Sequence, residues 1–312
     1  MNLRKTKKQV NHAYFWLIAF WILSTAIGSI EGNIDEGLLC IIPCVIGNLW
    51  LFAISRKKYP VRYFNKGENK VSEKKKMTVL KFLTFVCAIN VFQLIFYFVS
   101  QLIDKTGATG TSIETTAYTI PMIIYITLAA PISEELSYRG FLRENLAPLG
   151  KIPTMVLSAV AFGLMHANLK QAIFAIPAGI IYCYAASEYS LIWAMALHIF
   201  NNILATVSDM AEIAGNTALD NFFMVYLVVS AIAGVVLIIM QREEILSFIK
   251  DENNGSTRIY KEIPADIGDE NADKGAFSSG WKVNFTSSWF YLHTLFFIFL
   301  IVVMMILPEP TA

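Results

Sequence analysis

The chain has 312 residues, of which 55% are hydrophobic and 16% charged, with a formal net charge of +1 and a mean hydropathy of +0.52. Soluble domains average about a quarter charged, so there is too little polar surface here to cover a water-facing globule. The near-neutral charge gives no argument for nucleic acid, and none is expected as a partner.

A hydrocarbon core of about 30 Å takes roughly 17–25 residues of helix to cross. Nine uncharged windows meet that requirement: 13–30, 37–55, 82–103, 115–133, 152–169, 171–187, 189–208, 221–241 and 283–308. Lipid-exposed backbone must satisfy its own hydrogen bonds, so the expected class is all-α: a polytopic transmembrane bundle of eight core helices plus a ninth, C-terminal one. Three parts follow: a membrane core over 1–241, a polar cytoplasmic linker over 242–282 and an additional helix over 283–312.

The first window follows a basic start, as in a signal peptide. Its apolar run is longer than a usual signal core and no small-x-small site closes it, so it reads as a retained helix. Cys40, Cys44, Cys87 and Cys183 all fall within windows and read as small apolar packing residues, with no disulfide framework or zinc ribbon. Alternate connections carry nearly all the basic residues: Arg4 to Lys8, Arg56 to Lys76, Arg139 to Lys151 and Arg242 to Lys282. The opposite connections hold only Lys105 and Lys170, with the acidic turn Glu31, Asp35 and Glu36. This asymmetry predicts a cytoplasmic N-terminus and an external C-terminus if all nine windows span, in a membrane expected to be the bacterial cytoplasmic membrane. Pro148, Gly150 and Pro153 mark a tight turn between two helices. The stretch 242–282 is rich in Asp, Glu, Asn, Gly and Ser and reads as solvated, so a chain stopped near Glu244 is expected to keep its fold and activity.

Ionisable groups inside spans are costly and point to function. The first such place is Glu134-Glu135-Leu136-Ser137-Tyr138-Arg139-Gly140. Glu135 and Arg139 are one turn apart with the acid first, suited to pairing, whereas Glu134 points elsewhere without a local partner. The second is Phe162 with His166, and the third is His198 with Asn202 on one face of another helix. Glu134 lies 15 residues before Leu149 and His166 lies 17 after it, so an antiparallel hairpin would place both roughly 22–26 Å from its tip. His198 and Asn202 enter from the same side and can approach that layer. His12 and His293, near window ends, read as interfacial. Each feature alone has a structural reading: a solvated helix end, a buried hydrogen bonder, a glue between helices. Their coincidence at one depth favours a site.

Glu-Glu-x-x-x-Arg, Phe-x-x-x-His and His-x-x-x-Asn on three successive helices resemble the CPBP family of intramembrane proteases, the CaaX-protease and bacteriocin-processing or Abi group. The resemblance covers residues 115–208. The linker and ninth helix lie outside the family's eight-helix pattern. The resemblance implies that Glu134 and His166 bind and activate a water, with Glu134 as general base. His198 and Asn202 would supply oxyanion donors, Glu135 and Arg139 would pair as support, and Phe162 would wall the cavity. Family members are often labelled metalloproteases, and His166, His198 and Glu134 are the ligands available to a zinc ion. No cofactor is the favoured expectation, because no His-Glu-x-x-His helix is present and the two histidines come from different helices, with no second carboxylate expected to orient both. The expected substrate is a membrane-embedded or membrane-associated protein or peptide, with the lipid bilayer as the other partner. The competing readings are a non-catalytic scaffold or bacteriocin self-immunity protein, and a transporter, for which repeats and interrupted helices are lacking.

Overall fold

A computed structural model of the chain describes residues 3–30, 34–58, 75–105, 118–253 and 276–306. The described residues form a bundle of eleven helices: α1 (Leu3–Gly28), α2 (Glu36–Lys58), α3 (Val79–Lys105), α4 (the helical run Ile120–Leu149), α5 (Lys151–Leu164), α6 (Leu169–Glu188), α7 (Leu191–Ile213), α8 (Thr217–Met240), α9 (Arg242–Asn253), α10 (Ala276–Phe285) and α11 (Ser288–Ile306). Seven of them, α1, α3, α4, α6, α7, α8 and α11, are long and apolar enough to cross a membrane. The protein is an integral membrane protein with a polytopic helical fold. The basic stretch 59–74 and the middle of the polar stretch, 254–275, lie outside the described residues.

The predicted window 152–169 is shorter than expected. Helix α5 stops at Leu164 after 14 residues, about 21 Å at 1.5 Å per residue, well short of a hydrocarbon core. It therefore ends at depth in the bundle, and its C-terminal turn, not its interior, carries His166. The tight turn before α5 is formed as predicted, with Gly150 at φ +106°, a backbone state open to glycine and costly for other residues.

Between helices in lipid, close packing and interhelical hydrogen bonds drive association. Helix α8 lies against α3 so closely that a Cβ on Gly234 would stand 2.2 Å from the Cys87 carbonyl oxygen. One turn further, Asn90 Nδ2 donates to Ser230 Oγ at 2.8 Å and Tyr226 Oη at 3.1 Å.

The C-terminal region departs most from expectation. Residues 242–253 form a helix, and its Glu244 accepts from Lys75 at 3.0 Å, Lys81 at 2.7 Å and Tyr184 Oη at 3.1 Å. Helix α11 is not an appendage. It packs on α1, where Ser287 Oγ donates to Asn11 Oδ1 at 2.6 Å and Tyr14 Oη to Asn284 at 3.3 Å. Val283 joins the core formed by Tyr14, Leu17, Phe141 and Leu146. His293 is 1% exposed, its ring tilted against those of Tyr14 and Phe297. It is a buried side chain and not the interfacial one expected, because α11 turns that face toward α1. His12, by contrast, is half-buried and accepts from Trp16 Nε1 at 2.9 Å.

Candidate active site

Helix α4 carries the two glutamates and is irregular on both sides of them. Tyr125–Ala129 and Leu136–Leu142 are π-helical, with the regular turn Ala130–Glu135 between. Such widened turns leave carbonyls without intrahelical donors. Pro131 adds to this, because in the π register its missing N–H would have served the carbonyl of Ile126. Asn202 Nδ2 of α7 donates to that carbonyl at 2.9 Å. One amide hydrogen of Asn202 is thereby committed and one remains. On the other flank, Asn48 of α2 donates to Ser133 Oγ and accepts from Ser137 Oγ at 3.2 Å. The glutamate turn is thus clamped to α2 and α7.

Glu135 and Arg139 are each 0% exposed, and Arg139 Nη1 stands 2.9 Å from Glu135 Oε1. Arg139 Nη2 donates to the Gly179 carbonyl at 3.1 Å, and the guanidinium carbon lies 4.1 Å from the centre of the Phe162 ring. A Cβ on Gly179 would meet Arg139 Nη2 at 2.9 Å and Phe162 Cδ1 at 3.0 Å, so α6 can approach only as glycine. The same oxygen of Glu135 also accepts from His198 Nδ1 at 3.0 Å. Phe162 meets His166 and His198 edge-on, with ring centres 5.2 Å and 5.6 Å apart. Tyr182 stacks on His198 at 4.7 Å. Phe162 therefore joins the arginine to both imidazoles.

His166 sits in the turn after α5. Its backbone N–H bonds the Gly163 carbonyl at 3.3 Å, and its Nδ1 faces the carbonyls of Phe162 at 3.0 Å and Gly163 at 3.3 Å. Ala167 follows at φ +51°, a left-handed state that costs a non-glycine residue roughly 1–2 kcal/mol. Strain of this kind persists only where surrounding contacts determine it.

The ring nitrogens follow from their partners. Carbonyls and carboxylates only accept, so Nδ1 of His166 and of His198 each carries the proton, leaving Nε2 bare in the neutral ring. Glu134 Oε2 approaches His198 Nε2 to 3.6 Å, with its side chain 21% exposed. His166 lies within electrostatic range of both Glu134 and His198. Two acceptors thus face each other, Glu134 Oε2 and His198 Nε2, with one carboxylate in excess over the guanidinium of Arg139. Such a cluster calls for a hydrogen-rich or cationic guest, such as a water molecule.

Residues 116–204, which hold this whole cluster, match the family model described as type II CAAX prenyl endopeptidase, Rce1-like. This segment is therefore similar to the CAAX protease family. No curated protein and no solved structure matches the chain. The Rce1-like match supports proteolysis at the membrane as the class of activity. It spans Glu134 through Asn202 and leaves α1, α2 and α11 outside.

Within the matched segment, the bundle brings Glu134, Glu135, Arg139, Phe162, His166 and His198 together, and sets Asn202 one turn beyond His198. Phe162 backs the arginine and both histidines, and Glu135 orients one of the two histidines, His198, while also serving Arg139. An oriented histidine with a bare Nε2 is what a metal requires. Among the described residues, however, no three His, Cys, Asp or Glu side chains are grouped to hold an ion. Sequence reasoning misses Asn48, Gly179 and Tyr182. Asn48 is legible as a polar residue inside an uncharged window, whereas Gly179 and Tyr182 lie in an apolar helix without any signal.

Proposed function

We propose that the protein is an intramembrane endopeptidase that hydrolyses a peptide bond of a membrane-associated protein or peptide, with Glu134 as general base. The observation that carries this reading is the approach of Glu134 Oε2 to within 3.6 Å of His198 Nε2, beside a ring, Phe162, that touches both His198 and His166. A water there donates to Glu134 and to His166 Nε2. Glu134 takes a proton as the water oxygen bonds to the scissile carbonyl carbon. The developing oxyanion accepts from the remaining N–H of Asn202 and from His198 Nε2. For that donation His198 carries a second proton, and Glu135 against Nδ1 stabilises the imidazolium. The C–N bond then breaks as Glu134 passes its proton to the leaving nitrogen, giving an amine and a carboxylic acid that releases its own proton to water. General-base catalysis contributes about 10²–10⁴-fold, and one oxyanion donor about 10²–10³-fold.

We further propose that Arg139 holds this arrangement without entering the chemistry, since Glu135 and the Gly179 carbonyl occupy it. A zinc ion is the second reading, favoured by the two bare Nε2 atoms. His166, His198 and Glu134 would hold it, and it would lower the pKa of a bound water. The described side chains do not close into such a set, and a resident metal is not the reading preferred.

The test compares peptides released from membranes of cells carrying the wild-type chain with those carrying Glu134→Gln at equal abundance. Peptides present only with the wild type are expected, and active purified protein is expected to survive dialysis against a strong chelator. Equal release would leave a non-catalytic scaffold as the function. Stoichiometric zinc whose removal abolishes activity, with zinc restoring it, would make the histidines ligands.

A further inference from the structure

The last carbonyls of a helix lack intrahelical donors, and at depth in a membrane each must find another. At the end of α5 they are all served. The carbonyl of Ala161 takes Met165 N–H, that of Gly163 takes His166 N–H and that of Leu164 takes Ala167 N–H, while Phe162 takes His166 Nδ1. The next carbonyl, Met165, is served from another helix: Trp21 Nε1 of α1 donates to it at 3.0 Å. The bond closes on the peptide unit that leads directly into His166.

Trp21 is itself held from behind. Phe296 and Phe297 of α11 meet its ring edge-on, with centres 5.5 Å and 5.2 Å away, and Phe297 is buried. An unbroken line of contacts therefore runs from the C-terminal helix through one indole to the strained turn that presents His166. Both α1 and α11, which form that line, lie outside the matched domain.

We propose that Trp21 is a positioning residue for His166, and that the C-terminal helix serves the site by holding Trp21. The proposal rests on the reading of His166 as part of the hydrolytic site. Without the indole N–H, the Met165 carbonyl turns to seek another donor and carries the next peptide with it. His166 Nε2 then leaves its place opposite Glu134. A displacement on the order of 1 Å at a reacting group costs about 10²-fold in rate.

The test uses the full chain in nanodiscs and the variant Trp21→Phe, which keeps a ring against Phe296 and Phe297 and deletes only the donor. Nitrogen-15 spectra of histidine-labelled protein are expected to show His166 shifted, with His198 and His293 unmoved. Hydrolysis of an internally quenched farnesylated CAAX peptide is expected to lose about 10- to 100-fold in kcat at unchanged KM. Trp21→His, which retains a ring N–H, should recover part of that loss. In a His166→Ala background, Trp21→Phe should cost nothing more. Phe296→Ala with Phe297→Ala should move the same His166 resonance by a smaller amount. An unmoved His166 resonance in Trp21→Phe overturns the proposal, as does a common shift of all four histidines with loss of yield. Absence of cleavage by the wild type, or equal cleavage by Glu134→Gln, defeats the protease reading instead, and the spectra then decide on Trp21 alone.

Discussion

Two clusters of carboxylates and cations tie the helices of this protein together, on opposite terms. At the rim, Glu244 of α9 and Glu188 of α6 meet Lys75, Lys81 and Lys151. These side chains are partly exposed, and each carboxylate has more than one lysine. In the interior, Arg139 pairs with Glu135, both wholly buried, while Glu134 meets only an imidazole, that of His198. The rim has lysines to spare, and the interior has one guanidinium for two carboxylates. A surplus of lysine at an interface needs no further explanation, since water and lipid headgroups absorb it. A surplus carboxylate inside the bundle, even a partly exposed one such as Glu134, has to be maintained by its surroundings, and such groups mark sites of chemistry.

The largest expected effect comes from removing a scaffold that both clusters share. A chain stopped after Gln241 loses Glu244 from the rim and, through α11, the support of Trp21. It also strands Asn11 and Tyr14, whose partners are Ser287 and Asn284. Loss of folded protein is expected, read as membrane-fraction abundance and thermal stability in detergent. This reverses what the polar composition of 242–282 suggests, and an active truncated chain would restore that view.

Next in size is Arg139→Ala, which leaves Glu135 buried without its cation and doubles the interior imbalance. Breaking a buried pair from one side costs about 3–5 kcal/mol, so a sharp drop in melting temperature and yield is expected. Arg139→Lys should recover little, because the fork that reaches both Glu135 and the Gly179 carbonyl is lost.

The rim should respond mildly. Glu244→Gln is expected to cost about 1 kcal/mol or less, the range of exposed ion pairs. Burial alone would push the Glu244 carboxyl up, but its bonds to Lys81 and Lys75 outweigh it and hold the group at about 2, below its ordinary 4.5. A depressed carboxylate stabilises the fold fully above the ordinary value and loses that contribution as pH falls from about 4.5 toward about 2. Melting temperature measured across this window should fall more in the wild type than in Glu244→Gln. Identical slopes would mean that the rim cluster contributes nothing to stability.

Much of this contrast is legible in the amino-acid sequence. Span lengths and the run of uncharged windows predict the helical bundle, because hydrocarbon thickness imposes one length on every crossing element. Glu135 and Arg139 are legible as a pair because a helix turn fixes their spacing. The depth match of Glu134 with His166 assumes a full-length α5, but α5 stops early and a turn brings the imidazole to the layer. The double use of Glu135, by Arg139 and by His198, is not legible, since no periodicity reports which of two helices a carboxylate faces. Trp21 and Asn48 escape notice because their partners are backbone and serines on distant helices. Composition misleads at 242–253, where Glu244 serves Lys75 and Lys81 and not solvent alone.

The central claim is that the unmatched interior carboxylate drives hydrolysis. Its most direct test is cleavage, by the purified, reconstituted chain in water enriched in oxygen-18, of a protein from which wild-type but not Glu134→Gln membranes release a peptide, followed by mass analysis of the new C-terminus. The wild type is expected to place one heavy oxygen in that carboxylate, and Glu134→Gln, folded to the same extent, to give no product. Cleavage by Glu134→Gln at the wild-type rate, or a wild-type product without the heavy oxygen, would contradict it.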